Sequence, residues 1–161
     1  MELRKQSFKE YFKILVVIHL FLVLGIVLFG SVVSFLIADF KHTDNDSELA
    51  QLFIYLVPGL IIAGILGSGF VYRIKLNQLS ECIDLQTRMM AYREAAIIRY
   101  ALLQAPALFA LLAIFITNNI NYLVYAGLMV VLMLIKRPTM KVAIAEMNLD
   151  QQDLADLEDT N

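Results

Sequence analysis

The sequence predicts an all-α integral membrane protein, a four-helix bundle that spans the bilayer and extends helices into the cytoplasm. The chain of 161 residues is 60% hydrophobic, whereas soluble domains are about 45–50% apolar. A chain of this length buries only about 70% of its surface on folding, so the apolar excess must face lipid. The apolar residues also gather in four long stretches, with basic residues beside their ends. These observations favour four membrane crossings.

The first predicted span runs from Ile14 to Ile37. Its roughly 24 uncharged residues suffice to cross a hydrocarbon core of about 30 Å with some tilt. A cleaved signal peptide is the competing interpretation, but its apolar region is about 7–15 residues long and ends at a small-residue cleavage site. The stretch here is longer and has no such site, so we expect a transmembrane helix.

The second predicted span, Leu52 to Tyr72, carries a ladder of small residues at helical spacing. Small side chains let helix backbones approach closely in lipid, where no hydrophobic force draws helices together. The ladder consists of Gly59, Ala63, Gly64 and Gly67. Packing within the chain and packing between subunits are both compatible with it.

The third and fourth predicted spans are Ala95 to Thr117 and Ile120 to Ile135, with Asn118 and Asn119 in a tight outer turn. Arg99 is expected to snorkel to the cytoplasmic interface. The fourth span has only about 16 residues, so it must stand upright, thin the bilayer locally or draw its first residues into the interface.

The placement of basic residues predicts that both termini are cytoplasmic. All lysines and arginines except Lys41 precede the first span, flank the connection between spans two and three, or follow span four. By the positive-inside rule, that side of the membrane is the cytoplasm. We therefore expect a transmembrane domain over residues 1–137 and an acidic cytoplasmic tail over residues 138–161.

The segments outside the spans suggest helices but no catalytic or metal site. Ser80 is a plausible N-cap between spans two and three. The tail predicts helical pieces over Thr139 to Met147 and Asp150 to Leu157, either solvated or docked on the basic middle connection. The acidic outer loop lacks the glycine that a calcium loop needs at its sixth position, which is Leu49. Cys82 is a lone cysteine and forms no intramolecular disulfide.

Polar residues inside the spans are the most informative functional feature, because such residues are rare and usually have a role. The four spans contain no Asp or Glu. His19, Ser68 and Gln104 fall at a similar depth near the cytoplasmic side, and they could form one hydrogen-bonded polar layer. Such a layer either fixes helix packing or marks a proton or ion pathway.

Two resemblances accompany these residues. Residues 59–117 resemble the two-helix proteolipid, subunit c, of rotary ATP synthases, which carries its ion on a carboxylate where this chain has Gln104. An amide cannot release a proton near neutral pH, so that role does not carry over to Gln104. Residues 88–157 resemble small four-span bacterial membrane proteins, through Arg99 to Phe109, Thr117 to Asn119 and Leu134 to Pro138. This second resemblance implies the bacterial inner membrane and implies no activity.

The residues favour a non-catalytic membrane subunit or scaffold that assembles through the ladder in span two. A homo-oligomeric ion or proton pathway is the alternative. An intramembrane enzyme would need a nucleophile, paired acids or a metal site at depth, and the spans offer one histidine and no acid. We expect no catalytic residue, no cofactor and no nucleic-acid partner. The expected partners are the lipid bilayer, further copies or subunits of a membrane complex, and a cytoplasmic protein.

Overall fold

The computed structural model describes residues 8–39, 47–79 and 85–149, and these residues form an all-helical structure without strands. The all-α prediction is therefore confirmed. The helices are α1 (Phe8–Asp39), α2 (Ser47–Leu79), α3 (Leu85–Thr117), α4 (Leu123–Ile135) and α5 (Met140–Glu146), with a 3₁₀ turn at Ile120–Tyr122 before α4.

Three of these helices contain segments that are long and apolar enough to cross a membrane: Glu10–Ile37, Ala50–Leu79 and Leu85–Thr117. Because α2 and α3 have 33 residues each, each is about 50 Å long at 1.5 Å per residue. A hydrocarbon core is only about 30 Å thick. Each long helix therefore extends well past the length that a span requires. The fourth apolar segment, Ile120–Ile135, is shorter.

Contacts along the helices fix their relative directions. On α1 and α3, His19 meets Tyr100 and Gly30 meets Leu111, so the residue numbers rise together and the two helices are parallel. Helix α2 is antiparallel to α3. Near the start of α2, Phe53 stacks against Phe109, and near its end Lys75 pairs with Glu94. The hydroxyl of Tyr100 also reaches the backbone of Lys136 after α4.

These contacts bring the starts of α1 and α3 and the ends of α2 and α4 to one end of the bundle, which we call the basic end. The described lysines and arginines all lie on the parts of the helices that point toward this end, or just after α4.

Helix α3 lies at the centre of the bundle. In the most apolar stretch of α3, 50% of the residues are buried, compared with 22% in the most apolar stretch of α1 and 17% in that of α2. Helices α1, α2 and α4 each pack against α3, and α1 also packs against α4. The residues that α3 buries include five alanines among larger side chains, and these small residues let neighbouring helices approach it closely.

The connection between α3 and α4 is the tight turn that the sequence predicts. Asn118 has a φ of 53°, a left-handed conformation that asparagine tolerates better than most residues and that stops a helix. The side chain of Asn119 then accepts a hydrogen bond from the backbone N–H of Asn121 at 3.0 Å, which caps the 3₁₀ turn.

Several sequence predictions concern the segments after the spans. Helix α5 corresponds to the predicted piece from Thr139 to Met147, with these two residues at its caps. The predicted N-cap at Ser80, the acidic outer loop up to Asp46, Cys82 and the second tail piece, Asp150 to Leu157, lie outside the described residues.

Candidate functional site

The three polar residues predicted inside the spans are divided between two helix interfaces. His19 is only 5% exposed and packs against Tyr100, with ring centroids 4.5 Å apart. Both ring nitrogens of His19 are buried without a hydrogen-bond partner. Gln104 lies at the same interface between α1 and α3. Its Nε2 atom would be 3.9 Å from a Cβ added at Gly25 on α1.

Ser68 lies on the buried side of α2 and satisfies its hydroxyl within its own helix. Its Oγ atom donates to the carbonyl oxygen of Ile65 at 2.8 Å, a local bond that serine makes commonly in helices. The prediction of one hydrogen-bonded layer is therefore wrong in its connections, because His19 has no partner and Ser68 uses a backbone acceptor three residues away.

The small-residue ladder of α2 is also divided. A Cβ added at Gly64 would lie 2.4 Å from Cγ of Pro106 and 3.0 Å from the carbonyl oxygen of Leu102, so Gly64 is the glycine of α2 that lies closest against α3. Pro106 has no N–H to donate to that carbonyl, four residues earlier. At Gly59 and Gly67 an added Cβ would meet no atom within 4 Å.

The best-formed polar site lies at the basic end, where α5 meets α2 and α3. Oε2 of Glu146 accepts hydrogen bonds from the hydroxyls of Tyr72 at 2.6 Å and Tyr92 at 3.1 Å. The guanidinium carbon of Arg99 lies 4.3 Å from the ring centre of Tyr72, within the range of a cation–π interaction. We call Tyr72, Tyr92, Arg99 and Glu146 the latch cluster.

The four members of the latch cluster come from three helices. Tyr72 is the last predicted residue of span two, while Tyr92 and Arg99 lie seven positions, or about two turns, apart on α3. Glu146 is the last residue of α5. Because Tyr72 and Tyr92 are 7% and 2% exposed, the carboxylate replaces the water that their hydroxyls would otherwise need.

Further polar contacts surround the latch cluster at the same end. Lys75 and Glu94 form a salt bridge of 2.7 Å between α2 and α3. The Tyr11 hydroxyl donates to the carbonyl oxygen of Met89, which joins the start of α1 to α3. The basic end is thus held by tyrosine hydroxyls and an ion pair as well as by apolar packing.

Sequence reasoning did not single out Tyr72, Tyr92 or Glu146. It treated Glu146 as one of many acidic residues in the tail, although docking of that tail on the basic middle connection remained open. The available signal was the spacing of Ala143, Glu146 and Met147, which places them on one face of a helix. Nothing in that spacing could identify two tyrosines on other helices.

The arrangement can anchor α5 to α2 and α3. Two hydroxyl donors and one carboxylate acceptor form charge-assisted hydrogen bonds, which are stronger than neutral ones. Among the residues that the structure describes, there is no group of three or more His, Cys, Asp or Glu residues arranged to hold a metal ion.

Comparison of the chain with protein-family models, curated proteins and solved structures found no match.

Proposed function

We propose that the chain is a non-catalytic subunit or scaffold of a bacterial inner membrane, with four crossings and both termini in the cytoplasm. The observation that carries the membrane assignment is the number of large apolar side chains on the outside of the bundle. Phe21, Phe35, Leu66 and Val124 are each 68% exposed or more, on three different helices. Exposed apolar surface on this scale indicates contact with lipid.

The orientation rests on the directions of the helices and on charge. Helices α1 and α3 start at the basic end, where α2 and α4 finish, so the polarity of successive crossings alternates as a four-span protein requires. Lysine and arginine favour the cytoplasmic side of spans, which assigns the basic end to the cytoplasm. The fourth crossing combines the 3₁₀ turn with the 13 residues of α4, which together reach about 25 Å.

Labelling of single cysteines tests this orientation. In a Cys82→Ala background, Asn119→Cys should react with a membrane-impermeant maleimide added outside spheroplasts. Gln78→Cys and Arg137→Cys should react only after the membrane is permeabilised. Labelling of Arg137→Cys from outside would overturn the N-in and C-in topology or the fourth crossing.

Assembly is proposed to use the outward part of the ladder on α2. Gly59 and Ala63 are exposed, on the side of α2 opposite its contact with α3, and Gly67 is half-buried beside them. Residues that are small and spaced by four permit a neighbouring helix to approach closely in lipid. Because Gly64 already serves the contact with α3, these three residues can serve a second helix without disturbing the fold.

Measurement of native mass in mild detergent tests assembly. Gly59→Leu with Ala63→Leu should reduce the mass of the complex to that of a single chain. Gly69→Leu is the matched control, because Gly69 lies on the same helix away from the ladder and has equally open surroundings. A wild-type chain that runs as a monomer without other subunits would contradict the proposal.

A homo-oligomeric proton or ion pathway is the second candidate, and buried His19 favours it. Ionisable residues inside a membrane often mark such pathways, and both nitrogens of His19 lack a protein partner. Reconstituted vesicles containing a pH-sensitive dye should show proton flux that His19→Leu abolishes. Equal flux from the wild type and the variant would exclude a role for His19.

A further inference from the structure

Helix α5 is too short to be stable alone. It has seven residues, whereas isolated helices below about 12–15 residues are marginal in water. Thr139 occupies its N-cap position but makes no side-chain capping bond. Residues 137–139, which include Pro138, lie between α4 and α5 without helical structure, so α5 does not continue a longer helix. Its helical state must depend on contacts with the bundle.

Those contacts combine an apolar face with one carboxylate. Ala143 and Met147 are buried, at 1% and 2% exposure, and supply the apolar part of the docking face. Glu146 supplies the polar part through its two tyrosine partners, Tyr72 on α2 and Tyr92 on α3. The same carboxylate thereby joins three helices.

The docking face of α5 is open on one side of Glu146. A cavity of about 370 Å³ lies next to it, between the end of α5 and the adjoining ends of α2 and α3. Its lining includes Leu76, Leu79, Arg88, Met147 and Asn148. The cavity is partly open and Glu146 itself belongs to its lining, so no apolar side chain fills the space on that side of the docking face.

We propose that α5 is an order–disorder switch and that Glu146 is the latch that sets its balance. With the carboxylate bound to Tyr72 and Tyr92, residues 140–146 are helical and docked. Without that bond, the segment loses both its anchor and its helix, because seven residues cannot hold helical structure alone. The released segment exposes Ala143 and Met147, as segments that fold on binding do. The inference rests on the proposed function only in placing α5 in the cytoplasm.

Hydrogen exchange of the full chain in nanodiscs tests the switch. The exchange rates of four amides report on α5. The N–H groups of Ala143, Met147, Asn148 and Leu149 each donate a backbone hydrogen bond in the docked state. Tyr92→Phe and Tyr72→Phe should each speed their exchange about tenfold, since a hydrogen bond to a charged group contributes on the order of the 1.4 kcal/mol that a factor of ten represents. The double variant should approach the exchange of an unstructured peptide.

The matched control is Glu94→Gln, which removes an exposed carboxylate at the same end. Glu94 pairs with Lys75 and lies outside the latch cluster. The substitution should leave exchange in α5 unchanged. Amides of α3 from Ala107 to Ala113 report on the bundle and should stay protected in every variant. Loss of protection in α3 together with α5 would show that the tyrosines hold the whole fold, which would overturn a local switch.

Unchanged exchange of α5 in both single variants and the double variant would also overturn the proposal. The measurement needs no partner and no oligomer. A failure of the scaffold proposal, seen as a monomer in native mass measurements, would leave this result intact.

Discussion

Substitution of Gly64 by alanine should weaken the contact between α2 and α3 more than any other glycine substitution in α2. The added methyl group would lie 2.4 Å from Cγ of Pro106 and 3.0 Å from the carbonyl oxygen of Leu102. Neither neighbour can turn aside, since one atom belongs to a ring and the other to the backbone. The helices must separate locally to admit the methyl group.

Overpacking of this kind costs about 1–3 kcal/mol, and we expect about 2 kcal/mol because two rigid atoms oppose the methyl group. Gly59→Ala and Gly67→Ala are matched controls on the same helix, since their added methyl groups would meet nothing within 4 Å. The expected difference of about 2 kcal/mol corresponds to roughly a thirtyfold change in the folding equilibrium.

The assay is reversible unfolding in mixed micelles with increasing SDS, followed by circular dichroism. Repeating Gly64→Ala in a Pro106→Ala background removes the closer of the two clashes and leaves only the contact with Leu102. The cost should then fall by about 1 kcal/mol, a coupling typical of residues in contact. Equal stability of Gly64→Ala and Gly59→Ala, or an unchanged cost without Pro106, would refute the reasoning.

Three further substitutions can be measured in the same assay. His19→Leu removes two buried nitrogens without partners, so stability should stay equal or rise by about 1 kcal/mol; a loss above about 2 kcal/mol would reveal a partner for the imidazole. Asn118→Val should cost about 1–2 kcal/mol because its backbone is left-handed, whereas Asn118→Gly should be tolerated; equal effects would contradict the strain argument. Glu94→Gln breaks an exposed salt bridge with Lys75 and should cost less than about 0.5 kcal/mol, and a cost above about 1 kcal/mol would show that this pair is more than a surface contact.

The helical elements were predictable because apolar length and the outer turn are local properties. The predicted ends at Thr117 and Ile135 coincide with the ends of α3 and α4. Asparagine after Thr117 stops the helix through its left-handed backbone, and Lys136 follows the last apolar residue of α4. The extensions of α2 to Leu79 and of α3 back to Leu85 also agree with the prediction that both helices continue beyond their spans.

Contacts between elements were harder to predict, because they depend on which faces meet. His19, Ser68 and Gln104 share a depth in sequence, but depth does not specify direction around a helix. Ser68 had a backbone acceptor three residues away, and a hydroxyl in an apolar environment takes the nearest acceptor. Glu146 was predicted to belong to an acidic tail, and only the folded chain brings two tyrosine hydroxyls to it.

The ladder of α2 is divided between two faces of the helix, so packing within the chain and packing between chains do not exclude each other. Successive ladder positions four apart drift around the helix, because 3.6 residues make a turn. Gly64, one position beyond the register of Gly59, Ala63 and Gly67, therefore turns toward α3 and meets Pro106. The other three point away from that contact. If a partner helix packs against Gly59, Ala63 and Gly67, large side chains at Gly59 and Ala63 will abolish assembly and leave the folding stability unchanged. A large side chain at Gly64 will instead lower the folding stability.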